Sequence, residues 1–239
     1  MPENEFDGLA IEFKKKRKWR EDSIKSYLKI IKDRNLIKST DEVMDFGCGV
    51  GTLAFICHEM IGNNSIYEVD SSEEMIKINK QLIEEAGLTK EIQAECVSID
   101  RENLLDLLGG RKFDVIISVL TFHHIKEPPQ ILSILKTYLK PHGRIIVIDI
   151  EYTENSPFFR YALIPRESDG FTINQMETFY KEAGMIPEVF VEEVLCSRFN
   201  APQEIRDLNK TLAPKDRVFE DKYWQHEPFN FIFGVGRNE

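Results

Sequence analysis

Glu42-Val43-Met44-Asp45-Phe46-Gly47-Cys48-Gly49-Val50-Gly51-Thr52-Leu53-Ala54 reads as strand, tight turn and helix. A short apolar run ends in an acid, glycines follow at every second position, and Leu53, Phe55, Ile56 and Met60 then recur at helical spacing. Glycine permits φ > 0 and lets a ligand lie against the main chain where a Cβ would obstruct it. Such a crossing at the carboxyl end of a first strand is where open α/β sheets bind nucleotides.

The acid narrows the ligand. A dinucleotide fingerprint counted from Gly47 needs glycine or alanine at position 52, and the chain has Thr52. Pyrophosphate on a helix N-terminus calls for positive potential, so Asp45, two residues before the first glycine, is badly placed for NAD. It suits a ligand with a cationic or donor-rich end. S-adenosylmethionine (SAM) is one, with an ammonium, a sulfonium, a ribose and no phosphate.

The segment D-F-G-C-G-V-G resembles motif I of class I SAM-dependent methyltransferases, an acid followed by x-G-x-G-x-G. Phe113-Asp114-Val115-Ile116 is similar to the family's motif IV, F-D-x-I, and His123-His124-Ile125 resembles the small-molecule methyltransferase branch. Leu139-Lys140-Pro141-His142-Gly143 resembles the L-K-P-G-G turn, with His142 replacing one glycine. By motif the resemblance covers roughly residues 40–150, and by pattern the whole chain. It implies an α/β fold with a doubly wound, seven-stranded, mostly parallel sheet, an antiparallel last strand and helices on both faces.

The residue patterns are consistent with that fold. Ile24, Tyr27, Leu28 and Ile31 predict a helix opening at Glu21-Asp22-Ser23, and strand one is Val43 to Phe46. A helix over 51–61 closes at Gly62. Strand two ends at Asp70, and Ser71 with Glu74 reads as a capping box for a helix running to Gly87. Later strands are expected at 92–99, 113–119, 144–150, about 188–195 and 229–235, with helices after Pro128-Pro129 and Thr172. The chain, 1–239, reads as a single domain. Residues 1–20 form a basic arm that folds over the cofactor or stays mobile. The aromatic-bearing segments 151–171 and 197–228 are candidate lid or substrate elements.

Composition bounds the partners. A formal charge of −10 argues against broad attraction to nucleic acid or an anionic membrane. The exception is Lys14-Lys15-Lys16-Arg17-Lys18 with Trp19 and Arg20, which reads as a solvated helix face before a lipid or nucleic-acid patch. The cysteines Cys48, Cys57, Cys96 and Cys196 show no C-x-x-C pairing and the histidines no H-x3-H pattern, so neither a metal site nor a disulfide framework is expected. With no signal core and no long apolar run, the expected compartment is cytoplasmic, with the nucleus as the other choice.

The cofactor shell follows from these positions. Asp70 stands at a strand tip 19 positions after Gly51, near the spacing of about 20 for an acid that accepts from a ribose diol, though a plain turn aspartate is the bland alternative. The resemblance implies that Asp100, an equally good N-cap, contacts adenine. It places Asp45 near the methionine moiety, with Gly47, Cys48, Gly49 and Gly51 giving close backbone approach. Ser71 and Met75 follow the ribose acid, and Ser118, Val119 and Leu120 line the methyl-donor side. His123 and His124 are candidate bases for an acceptor that must lose a proton, with His226 a further candidate; structural histidines are the alternative.

The reaction implied is in-line transfer of a methyl group from SAM to a small-molecule acceptor, leaving S-adenosylhomocysteine. Two other readings stay open. A protein or nucleic-acid methyltransferase has the basic run in its favour, but Val119-Leu120-Thr121-Phe122 stands where N/D-P-P-Y or P-C is found in such enzymes. A non-catalytic protein of the same fold has no use for Asp45, the glycines and Asp70. Acceptor identity and oligomeric state are not encoded in any of these motifs.

Overall fold

The computed structural model describes residues 6–63, 65–98, 108–154, 166–213 and 216–238. Seven strands, β1 (Val43–Phe46), β2 (Ile66–Asp70), β3 (Ile92–Cys96), β4 (Phe113–Val119), β5 (Leu139–Ile150), β6 (Ile186–Phe199) and β7 (Trp224–Arg237), form one sheet in the order β3-β2-β1-β4-β5-β7-β6. β1 pairs in parallel with β2 and β4, and β7 runs antiparallel to both β5 and β6. Strand order reverses between β2-β1 and β1-β4. The crevice beyond the carboxyl ends of those strands is therefore the topological switch point of the sheet.

The central strands are apolar on both faces because helices cover both. On one side α1 (Ala10–Asp33), α2 (Thr52–Ile61) and α3 (Glu73–Glu85) place Tyr27, Leu53 and Ile76 against Val43, Val115, Ile117 and Ile146. On the other, α4 (Pro128–Lys136) and α5 (Ile173–Glu182) pack Leu132, Leu135 and Tyr180 on Met44, Ile116 and Val147. Gly234 and Gly236 of β7 lie under Tyr180, where an added Cβ would come within 2.6 and 2.2 Å of its ring. Thr172 and Gln175 build the capping box that opens α5.

Three expectations need correction. The first helix starts at Ala10, not at Glu21, so residues 10–20 of the expected arm are helical. Lysine and arginine are good helix formers, and Glu12 pairs with Lys16 one turn on. The cap of α3 is Ser72 rather than Ser71: its Oγ accepts from the Met75 N–H at 3.2 Å and donates to Asp7 at 2.5 Å. Finally, the last hairpin is longer than its apolar pattern, with β6 and β7 paired out to Phe199 and Trp224. Both ends of the span 197–228 are thus strand, and α6 (Gln203–Thr211) lies between them at the tip.

Candidate active site

A cavity of about 940 Å³ opens at the switch point, at the upper end of the roughly 300–1,000 Å³ usual for ligand pockets. Its floor is the carboxyl tips of β1, β2 and β4, and its walls are α1 and the far end of the β6–β7 hairpin. Asp45, Gly47, Cys48, Gly49, Asp70, Ser71, Met75, Val119, Leu120, His123 and His124 all line it. Gly51 and Ser118 do not. Asp100 lies outside the described residues.

The glycines divide by role. Gly47 has φ +75°, and a Cβ on it would stand 2.3 Å from the Thr121 side chain. At Gly51, φ +78°, a Cβ would come within 2.1 Å of Asn79. Both are required by packing within the protein. Gly49, φ +55°, has only the Phe13 ring nearby, at 3.9 Å, so its bare backbone faces the cavity. Ser118 is buried and donates to the Phe46 carbonyl at 2.8 Å, tying the tip of β4 to β1. Leu120, at the end of that tie, holds φ +55°, a costly conformation for a leucine that recurs where a loop is fixed for function.

Three carboxylates gather beneath the turn. Asp45 and Glu68 are register partners on β1 and β2, and both are buried. Glu68 accepts from Asn79 Nδ2 at 2.9 Å through one oxygen, while its other oxygen and Asp45 Oδ2 have no hydrogen-bond partner among the described residues. Burial, then the Glu68 and Asp70 charges, hold the Asp45 carboxyl well above its usual range. Burial pushes Glu68 up to about 8. Asp70 is raised less, because N–H groups of Ser72 and Gly49 donate to it at 2.9 and 2.8 Å. Cys48, pushed up by burial and by these acids, stays a thiol and is no nucleophile.

On the opposite side of the turn His123 is fixed by a residue that belongs to none of the motifs above. Its Nδ1 lies 2.8 Å from Asp149 Oδ1, and its backbone N–H donates to Asp149 Oδ2 at 3.0 Å. Asp149 is fully buried near the end of β5. The one available sequence signal is an acid within the apolar run Ile145 to Ile150. His124 sits beside His123, ring centroids 4.0 Å apart, with Phe6 edge-on at 5.0 Å. His226 is on the exterior, 3.2 Å from Ser197 Oγ and 3.3 Å from Asp22, and does not line the cavity.

α1 supplies the roof. Phe13, Lys16, Arg20 and Tyr27 follow one helix face into the cavity, while Lys14, Lys15 and Lys18 point to solvent. Trp19 stacks on Trp224 of β7, centroids 4.4 Å apart and planes within 9°, joining the helix to the hairpin. The basic run is therefore split between the surface and the cavity wall.

The profile of a family described as Methyltransferase domain matches residues 37–213. An uncharacterized methyltransferase of Schizosaccharomyces pombe is 24% identical over 210 residues, covering 77% of this chain and 70% of that protein. Phosphoethanolamine N-methyltransferase 1 of Arabidopsis thaliana is 23% identical over 203 residues, which is 83% of this chain but only 38% of the plant protein. Among solved structures, a SAM-dependent methyltransferase from Aquifex aeolicus superposes with a TM-score of 0.58 at 19% identity, covering 90% of this chain and 91% of its own. That likeness is one of fold.

Proposed function

Because this chain belongs to the methyltransferase-domain family, we propose that it is a SAM-dependent methyltransferase that binds SAM in the cavity at the switch point and methylates a small-molecule acceptor there. The observation that carries this reading is Asp45: a buried carboxyl with one oxygen unpartnered, in the wall of a cavity, favours a ligand that brings a cationic or proton-donating group to it. The ammonium of SAM has that chemistry.

The residues present fit the cofactor. Asp45 would take the methionine end. Asp70 accepts from the backbone N–H groups of Gly49, Ser71 and Ser72, which leaves acceptor capacity of the carboxylate for a ribose diol. Gly49 offers backbone without a Cβ, and Ser71, Met75, Val119 and Leu120 complete the wall. Bound there, SAM supplies a methyl group on a sulfonium, an electrophile that needs no further activation.

The chain's own role is alignment, exclusion of water and, where the acceptor demands it, a base. No acid is proposed at the sulfur, since a carboxylate there would favour the cationic ground state over the neutralising transition state. His123 Nδ1 lies against Asp149, an arrangement that fixes the ring; with the proton on Nδ1, Nε2 would be the basic nitrogen. It would accept the proton of a hydroxyl acceptor. His124 shapes the same wall.

Enclosure supports a small acceptor: α1 and the hairpin close over the cavity, and Lys16 and Arg20 of the basic run turn into it. The same reading treats residues 1–239 as one domain. Four free cysteines agree with a reducing, cytoplasmic setting, and among the described residues no helix is long and apolar enough to cross a membrane.

Thermal unfolding with SAM, with S-adenosylhomocysteine and with NADH tests the cofactor. Ligand at about a hundred times its Kd adds about 2.7 kcal/mol, roughly 5–10 °C for a chain of this size. SAM and its product should shift the protein and NADH should not. A folded protein unmoved by either sulfur ligand would overturn the proposal.

A further inference from the structure

The cavity is charged oppositely at its two ends. Asp45 and Asp70 hold the glycine-turn end. The far end, between α1 and the hairpin, is lined by Lys16, Arg20, Arg198, Arg206 and Lys210 with Glu12 as the one carboxylate among them. This is a basic chamber in a chain whose formal charge is −10.

Glu12 does not neutralise it. Its carboxylate is shared between Lys16 and Arg217, the latter at 2.7 Å. Arg198 has Glu227 at 2.9 Å, and Lys210 has Asp207 at 2.7 Å on the solvent side. Arg20 has no carboxylate within ion-pair distance among the described residues; its guanidinium lies over the Phe13 ring at 4.3 Å. That ring is also the nearest atom group to the bare face of Gly49, so Arg20 stands where the two ends of the cavity meet. The Glu12 charge acts on Arg20 only at a distance while burial opposes its charge; a charge withdrawn from bulk water without a direct partner is costly, and an anionic ligand lowers that cost. Guanidinium in particular grips phosphate and carboxylate oxygens in pairs.

We infer that the methyl acceptor carries an anionic group, a phosphomonoester or a carboxylate, held by Arg20 and Lys16, which leaves its nucleophilic atom facing Leu120, Thr121 and His123 across the middle of the cavity. The inference rests on the SAM reading for the position of the reacting atom, but not for the anion site itself. Among the described residues, no spare acid is available at the far end for a cationic tail.

The test is isothermal titration calorimetry on the full chain, with and without saturating S-adenosylhomocysteine, using phenyl phosphate, benzoate and benzyl alcohol as size-matched probes. Phenyl phosphate should bind at least about tenfold more tightly than benzyl alcohol. Arg20→Gln should cost about tenfold in phosphate affinity while S-adenosylhomocysteine binds as before, and Arg20→Lys should retain most of it. If Arg20→Gln does not fold, Lys210→Gln at the chamber rim should weaken phosphate binding by about threefold or more. Benzoate binding alongside phenyl phosphate would mark a general anion site, and its absence a phosphomonoester site. Equal binding of benzyl alcohol and phenyl phosphate, no heat from phenyl phosphate at millimolar concentration, or unchanged affinity in the variants would overturn the inference. Loss of S-adenosylhomocysteine binding with phosphate binding intact would instead strike the cofactor reading.

Discussion

His123 and Asp149 are joined twice, through the imidazole Nδ1 at 2.8 Å and through the backbone N–H at 3.0 Å, so one carboxylate sets both the ring and the loop that carries it. The same carboxylate accepts from the Ile150 N–H at 2.8 Å. Asp149→Asn should therefore cost about 1–3 kcal/mol of stability, since a buried charged acceptor of several bonds is lost. It should leave S-adenosylhomocysteine affinity within about threefold. Urea unfolding and calorimetry report the two effects separately.

His123→Asn removes the base but not the cavity. Transfer of labelled methyl from SAM into the filtered small-molecule fraction of a cell extract should fall about 10²–10⁴-fold if the acceptor is a hydroxyl. An amine acceptor would be methylated at near the wild-type rate, which would show that His123 is only structural.

The carboxylates under the turn make the free protein pH-dependent. Glu68, near 4.5 when unfolded and about 8 when folded, binds its proton more tightly in the native state. Its contribution to stability is thus full at acid pH and is lost as pH rises from about 5 through 8. Glu68→Gln should flatten that decline and raise stability at pH 8 by about 1–3 kcal/mol. Chemical unfolding of wild type and variant from pH 5 to 9 gives the two slopes, and parallel slopes would contradict the assignment.

Gly51→Ala and Gly49→Ala should fail differently. The first drives a Cβ to 2.1 Å from Asn79, and unfolding should be easier by about 2 kcal/mol or more. The second meets only the Phe13 ring at 3.9 Å, an ordinary contact, so the loss should be about 1 kcal/mol, from the positive φ, with the larger effect on SAM affinity. Equal thermal shifts with SAM in Gly49→Ala and wild type would remove Gly49 from the cofactor shell.

Trp19→Ala unties the helix from the hairpin. Loss of the stacked pair should cost about 1–3 kcal/mol and abolish the coupled indole signal in near-ultraviolet circular dichroism. The hairpin tip, residues 200–223, should become the first site of limited proteolysis. Saturating ligand should restore some of the protection.

What was legible in the sequence was what is encoded locally. β1 has the predicted bounds because four apolar-flanked residues meet a glycine turn, and Gly62 and Gly87 end helices as read, both with positive φ. The start of α1 was not legible because its first three turns direct charged residues inward: Glu12, Lys16 and Arg20 face a cavity rather than a core, so no apolar period marks them. Ser197 and Arg198 likewise disguise the far end of β6. Asp149 could not be paired with His123 beforehand because the contact crosses from the loop after β4 to the neighbouring strand β5, and only the three-dimensional register brings them together.

The roof of the cavity lies outside the stretch by which the family is recognised. The family profile spans residues 37–213, and α1 ends at Asp33, before that span begins. The turn and strand tips that would receive the methyl donor fall inside that span, whereas Phe13, Lys16 and Arg20 fall outside it. Two relatives can share the whole matched region and still differ in what they methylate. For this protein, the acceptor chemistry proposed above therefore draws on one helix that the family match does not describe.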